Sequence, residues 1–506
     1  PYRRQRQMCI RDSYRVNYGY KGKYLVEVSG RYDGSSKFPT NSKWGFFPSA
    51  SVAWRVSEEP WMKWSEEWLD NAKIRLSAGS MGNGNVDPYS YTSEMTVATA
   101  SDIVLGGGLP SYTTVGSTVP VSLTWEKSTT YDVGLDLDFF NNRLSVSGDY
   151  YRRYTTDMYT ASVALPAVYG TGSPKGNNAE MKTDGWELSL SWRDSFKLGG
   201  KPFDYSIKAM VWDNRTVVTK YENATRSLGT LKGYIQNGGS PSDFYEGMEL
   251  GEMWGYTVAG LFRDQADIDS SATHDFTQAS DKVTRPGQVK IADLDHNGNI
   301  DPGAFTADDH GDLSIIGNIN PHYMFGVNLA ANWNGIGLSV FLQGVMKRDW
   351  YPSPDSGYFW GKYARPFMWV LGIHNYTDDM YSEEKNNWDT AYWPRMTTYQ
   401  SNSSYSWTKL LEIPNTRYKQ NAAYLRVKNI QVDYTFPKAL CQKIRLGGLK
   451  IYLSGENLFT FTPLHKYAPN FDPEALGYDT DFSSTAGDGY TYPVLKSVTL
   501  GVNITF

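Results

Sequence analysis

Apolar and polar residues alternate with period two along most of the chain. In 182–193, Trp186, Leu188, Leu190 and Trp192 share one parity, and Gly185, Glu187, Ser189, Ser191 and Arg193 the other. In 129–139, Tyr131, Val133, Leu135, Leu137 and Phe139 oppose Asp132, Gly134, Asp136 and Asp138. The last residues repeat the pattern, with Val498, Leu500, Val502, Ile504 and Phe506 against Ser497, Thr499, Gly501, Asn503 and Thr505. Successive strand side chains point to opposite faces, so each segment predicts a strand with one apolar and one polar face. About thirteen such strands are predicted, near 14–20, 23–33, 45–57, 72–81, 122–139, 143–157, 180–193, 203–216, 321–333, 337–347, 422–436, 448–460 and 492–506. The 422–436 strand changes phase at Asn429: Leu425 and Val427 share one parity, Ile430, Val432 and Tyr434 the other. A β-bulge is the simplest cause.

The connections alternate as well. Short turns are predicted at Tyr20–Lys23, Asn141–Asn142, Asp194–Lys201, Asn334–Ile336 and Pro437–Gly447, with intermediate connections at 34–44 and 58–71. Long connections fall at 82–121, 158–179, 217–320, 348–421 and 461–491. Loops of that length are uncommon inside compact soluble domains. Short turns at one end of the strands and long loops at the other fit an outer-membrane barrel with long extracellular loops. A soluble sandwich with one buried face also alternates. Against it stand strand lengths near the 9–11 residues that cross lipid and a polar face rich in charge. Aromatics also crowd strand ends where a girdle belongs, at Phe46, Phe47, Trp125, Phe139, Phe140, Tyr150 and Tyr151.

Composition narrows the picture. The 506 residues carry a net charge of −5, so no basic excess points to nucleic acid. Trp, Tyr and Phe make up 15% of the chain, which excludes disorder over most of it. Mean hydropathy is −0.50 and no long apolar run occurs, which excludes helical membrane spans but not a barrel. Two cysteines, Cys9 and Cys441, make no disulfide framework and no metal spacing. Residues 1–13, PYRRQRQMCIRDS, carry four Arg without strand alternation; they resemble translated adapter read-through and are read as a non-native segment. With no signal peptide in view, and with an odd strand count where bacterial barrels use even ones, the chain is read as a fragment lacking its N-terminal part.

A set of motifs in a fixed order points to one family. RYDGSSKF at 31–38, WGFFPSASVAWRVSEEPW at 44–61, LDNAKIRLSAGSMGN at 69–83 and WEKSTTYDVGLDLDFFNNRLSVSGDYYRRYTTDM at 125–158 come first. IADLDHNGNID at 291–301, IGNINPHYMFGVN at 316–328, AAYLRVKNIQVDYTFPKAL at 422–440, IYLSGENLFTFT at 451–462 and YPVLKSVTLGVNITF at 492–506 follow. Nearly everything after residue 13 resembles the C-terminal part of a SusC/RagA-type TonB-linked outer-membrane transporter of Bacteroidota. The resemblance implies an all-β fold, a transmembrane antiparallel β-barrel of the 22-stranded kind, here about 13 C-terminal strands without the plug. It also implies import of oligosaccharides, glycans or peptides, a SusD-like surface lipoprotein as lid, and energy from the TonB–ExbB–ExbD complex acting through a region this chain lacks. No cofactor is implied.

For local chemistry, Asp293, Asp295, Asn297, Gly298, Ile300 and Asp301 follow the spacing of the first half of a Ca²⁺ loop, in which alternating oxygen ligands converge where glycine allows a sharp turn. The twelfth position is Ala304; Pro302–Thr306 reads as an insertion, and Asp308 or Asp309 stands in for the missing acidic ligand. The same residues suit an Asx-rich turn that binds nothing. Trp350, Tyr351, Tyr358, Phe359, Trp360, Tyr363, Phe367, Trp369, Trp388, Tyr392 and Trp393 suit either stacking on sugar rings or packing of the long 348–421 loop, and no substrate residue is assigned. No catalytic residue is assigned: the six histidines form no HExxH, and there is no nucleophile elbow, P-loop or dinucleotide fingerprint. The reading is therefore active import by a non-enzyme. A passive porin or adhesin on the same barrel, and a secreted β-rich glycan hydrolase, are the alternatives.

Overall fold

The computed structural model describes residues 9–88, 90–92, 95–115, 119, 123–162, 168, 175–230, 239–274, 284–352, 359, 379–395, 413–476 and 494–506. Thirteen strands form one sheet in which each strand pairs with its neighbours in sequence order. They are β1 (Cys9–Tyr20), β2 (Tyr24–Ser35), β3 (Trp44–Arg55), β4 (Leu69–Asn83), β5 (Glu126–Phe139), β6 (Leu144–Ala161) and β7 (Lys175–Leu198). β8 (Lys201–Lys220), β9 (His322–Trp333), β10 (Ile336–Lys347), β11 (Tyr424–Thr435), β12 (Gly448–Phe461) and β13 (Ser497–Thr505) complete it. All thirteen predicted strands are present. β1 begins at Cys9, so Cys9–Ser13, set apart in the sequence reading, pair with Arg31–Ser35; residues 1–8 lie outside the described residues. β6 and β7 take both ends of the connection predicted at 158–179, reaching Ala161 and starting at Lys175, and β8 runs only to Lys220 in the one predicted at 217–320.

Local chemistry sets the short turns. Lys21 and Gly22, Gly199 and Gly200, and Asn334 and Gly335 are consecutive pairs at positive φ, the geometry of tight hairpins whose twist matches that of the strands. Asn141 and Asn142 do the same between β5 and β6. In β11, Val427 pairs with Leu342 and Asn429 with Phe341, so Lys428 is the extra residue of the bulge. The partner register shifts at the same place on β12.

The chain falls into two compact units, one of residues 1–188, 214–224 and 245–249, the other of 189–213, 225–244 and 250–506. In the first, cross-strand pairing puts Tyr24, Trp54, Ile74 and Leu135 in one row of one face. Val16, Tyr18, Val52, Leu76 and Val133 are exposed on the same face, an apolar surface of the kind that meets lipid. The opposite face holds ion pairs. The Arg75 guanidinium forks between Asp136 at 2.8 and 3.0 Å and Asp149 at 2.9 Å, and Lys73 approaches Asp136 at 3.5 Å. Phe47 and Trp125 do not belong to an aromatic girdle. Phe46 faces outward, so its neighbour Phe47 must face the other way. There Phe47 packs edge-on against Trp125 at 5.7 Å in a core with Phe38, Val86 and Leu123.

Candidate functional site

In the second unit, the connection between β8 and β9 folds as a small module of its own. Glu252–Tyr256 pairs with Leu313–Asn318, Val258–Leu261 with Val289–Ile291, and Thr273–His274 with Asn299–Ile300. Met253, Tyr256, Phe262, Val289, Ile300 and Leu313 are buried between them. The acidic loop spans from the end of Val289–Ile291 to the start of Leu313–Asn318, so both its ends are fixed by strands with buried side chains.

Three carboxylates converge in this loop: ligand atoms of Asp293, Asp295 and Asp312 lie within 4.8 Å of one another. Gly298, at φ +85°, turns the chain so that its N–H donates to Asp293 Oδ2 at 3.0 Å. Asn297 donates from its backbone to Asp295 Oδ1 at 3.0 Å and from its amide to Oδ2 at 2.9 Å, and its own Oδ1 accepts from Asn299 N at 2.7 Å. Asp312 is fully buried; its Oδ1 accepts from Leu294 N at 2.6 Å and its Oδ2 from Asp301 N at 3.0 Å. Burial, opposed by those two backbone donors and reinforced by Asp295 and Asp293, holds the Asp312 carboxyl above the ordinary aspartate range.

The loop thus gathers a different set from the one its spacing suggested. Asp293 and Asp295 are together, with Asn297 folded beside Asp295. Asp301 caps Gly303 N at 2.7 Å, Asp308 pairs with Arg226, and Asp309 closes a turn with Thr306. The third carboxylate is Asp312, which a twelve-residue template cannot reach; only the two backbone donors that fold 301–312 back under the loop bring it in. The donors are all hard oxygens, and Asp293 Oδ1 is buried without a hydrogen-bond partner. Among the described residues no Lys or Arg ion pair neutralises the three carboxylates. Such a set fits Ca²⁺ better than a transition metal.

The described aromatics of the 348–421 loop form a core rather than a platform. Trp350, Tyr351, Phe359, Trp393 and Tyr418 are each at most 1% exposed. Phe359 meets Trp393 at 5.3 Å, Trp350 meets Phe471 at 5.0 Å, and Tyr392 stacks on Tyr467 at 3.6 Å. Asn415 donates to the Tyr351 hydroxyl at 2.8 Å, and Arg417 donates to Tyr392 O at 2.9 Å and to Ala391 O. Burial raises the Tyr392 and Tyr418 hydroxyls far above the usual tyrosine range. Trp388 is half-buried, while Tyr358, Trp360, Tyr363, Phe367 and Trp369 lie outside the described residues.

Thirteen two-faced antiparallel strands with tight turns at one end and folded connections at the other match a known architecture. Residues 10–280 match the family described as TonB dependent receptor-like, beta-barrel. The chain belongs to this family. The TonB-dependent receptor P3 of Formosa agariphila is 28% identical over 503 residues, covering 97% of the chain and 45% of that protein. The TonB-dependent receptor SusC of Bacteroides thetaiotaomicron is 25% identical over 507 residues, covering 97% and 43%. Among solved structures, the RagAB peptide importer in the open-open state superposes with a TM-score of 0.70 at 20% identity, covering 98% of the chain and 47% of that structure's chain. The chain thus spans about half the length of the curated relatives it matches. TonB-dependent receptors are outer-membrane receptors and transporters rather than enzymes, and the thirteen strands are those of their barrel.

Proposed function

We propose that the complete protein is an energy-coupled importer of large nutrients, oligosaccharides or peptides, across the outer membrane. The observation that carries it is the match of the two-faced sheet to the TonB-dependent receptor barrel. In this reading a SusD-like lipoprotein covers the long-loop end, the polar strand face lines the route, and TonB–ExbB–ExbD drives passage from the other side. The names of relatives, TonB-dependent receptor SusC and the RagAB peptide importer, support coupling to TonB and peptide as one of the two substrate classes. The test is deletion of the complete gene, with growth on oligosaccharide and on peptide mixtures as sole carbon source. Growth lost on one of them, and lost equally when TonB is removed, supports the reading. Uptake that persists without the proton-motive force would make the protein a passive pore.

We propose also that the Asp293–Asp312 loop takes Ca²⁺, with Asp293 and Asp295 as ligands and Asp312 supplying buried charge beside them. The buried, unpartnered Asp293 Oδ1 supports this. The ion would stiffen the β8–β9 connection. Added Ca²⁺ is expected to slow amide exchange across 292–313, and Asp293→Asn to abolish that effect. Equal exchange with Ca²⁺ and with chelator would leave a plain Asx-rich turn.

A further inference from the structure

The connection between β3 and β4 lies at the short-turn end of the sheet, beside the Lys21–Gly22 and Asn141–Asn142 turns. It is not a simple turn. Val56–Glu58 and Pro60–Ser65 are 3₁₀ segments, and the connection carries three tryptophans, Trp61, Trp64 and Trp68, that are 58%, 68% and 39% exposed.

The 3₁₀ geometry sorts the side chains into three edges, because residues three apart eclipse one another. Met62 and Ser65 form the inward edge; Ser65 is buried and its hydroxyl donates to Met62 O at 2.7 Å. Pro60, Lys63 and Glu66 form a second, exposed edge. Trp61 and Trp64 form the third. Trp61 lies edge-on to Trp54 at 6.4 Å, and Trp64 meets Trp68 at 5.8 Å. Trp68 in turn stacks on Phe139 at 5.9 Å. Trp54 pairs across strands with Tyr24 and Ile74, on the apolar face of the sheet. The tryptophan edge is therefore continuous with the surface that meets lipid.

Glu59 fixes the segment in place. Its carboxylate accepts from the Tyr24 hydroxyl at 2.6 Å, from Trp54 Nε1 at 3.1 Å and from Lys23 Nζ at 3.4 Å. The Trp54 indole is thus satisfied within the protein, whereas Trp61, Trp64 and Trp68 expose their rings, and among the described residues no acceptor meets their N–H groups. An apolar ring with an unsatisfied donor at its edge favours the glycerol and headgroup layer of a bilayer, where both needs are met.

We propose that residues 56–68 are a membrane-interface anchor, with Trp61, Trp64 and Trp68 seated among the phospholipid headgroups of the leaflet at the short-turn end. Lys63, Glu66 and Glu67 face the water beyond. The connection is then part of the lipid-contacting surface and not a free periplasmic loop.

The test uses outer-membrane vesicles carrying the complete protein. X-ray radiolysis generates hydroxyl radicals in the water on both sides, and mass spectrometry reads oxidation residue by residue. In vesicles from a strain without the covering lipoprotein, Met95, exposed in the β4–β5 connection, reports full water access. Trp61 and Trp64 are expected to oxidise clearly more slowly than Met95, because rings seated at the interface present less of their surface to water. Oxidation of both at the Met95 rate would overturn the proposal. A second reading uses the protein in liposomes whose acyl chains carry bromine close to the glycerol. Trp61→Phe, Trp64→Phe and Trp68→Phe together are expected to remove a component of fluorescence that the brominated lipid quenches and aqueous iodide does not. A lost component quenched by iodide alone would place these rings in water.

Discussion

Arg426 shows how much one side chain can organise. Almost wholly buried, it binds Asp472 at 2.5 Å, Glu474 at 2.7 Å and Thr460 at 2.9 Å, so it ties the segment after β12 to β11. Arg426→Ala leaves Asp472 without its cation, with only the Glu474 and Val494 N–H groups donating to it, and is expected to cost about 3–5 kcal/mol, the range for breaking a buried pair from one side. Arg426→Lys is expected to restore only part of this, because a single ammonium cannot serve both carboxylates and the hydroxyl. Faster amide exchange across 463–476 in both variants is the readout. A second residue, Asp264, caps the short helix Gln265–Asp269 by accepting from Asp267 N at 2.8 Å. That bond and the Arg263 guanidinium hold its carboxyl below the usual range. A depressed folded pKa contributes stability that is full above the ordinary aspartate value and is lost as pH falls through the depressed one. Protection over 265–271, corrected for the intrinsic slowing of exchange in acid, is expected to fall as pH drops, and Asp264→Asn to remove Asp264's share of that dependence while keeping the cap; Asp267, held low against burial by the Arg263 N–H and Lys290, keeps the rest.

At the scale of elements, the strands were legible and the connections were not. Leu135, Asp136, Leu137 and Asp138 announce a two-faced strand by parity alone, because one face meets hydrocarbon and the other water. Even the Lys428 bulge is written as a phase change. Nothing comparable marks the folded connections. Glu252–Tyr256, buried throughout, pairs with Leu313–Asn318 about sixty positions away, and such a strand carries no alternation to read. Asp312 was missed for the same reason: its place beside Asp293 depends on that long-range pairing. The aromatics of the β10–β11 connection were legible as a packing or stacking set, and burial decided for packing at Trp350, Tyr351, Phe359 and Trp393. These modules rest on close backbone approach. Gly287 sits at φ +81°, bonds Phe262 O and Arg395 N, each at 2.7 Å, and a Cβ there would lie 2.1 Å from Tyr381. Gly287→Ala is expected to cost at least about 1–2 kcal/mol from backbone strain alone. It should loosen 379–395 from 284–288, seen as new protease cleavage in 379–395.

At the scale of the whole molecule, β1 and β13 are the outer members of the sheet order, each with one row of backbone groups that no strand among the described residues satisfies. Unpaired edges invite association with other strands. Expressed by itself, the chain is expected to form heterogeneous oligomers by size-exclusion chromatography in detergent; a single monomeric species would count against that. The bulge in β11 has a consequence of another kind. The sheet separates two solvents, so it reads its sequence modulo two. Removing one residue from the middle of β10 would send every side chain beyond it to the wrong solvent. Removing Lys428 would not, because Leu425, Val427, Ile430, Val432 and Tyr434 would then alternate without a break and match β10 residue for residue; the irregularity would move to β12, where Asn457 and Leu458 would have no residue opposite them. What would be lost is the 2.8 Å contact from Lys428 Nζ to Glu474. Lys428 is therefore a place where the strand can lose a residue without changing which side of the membrane wall any other residue faces, the cost falling on the neighbouring strand.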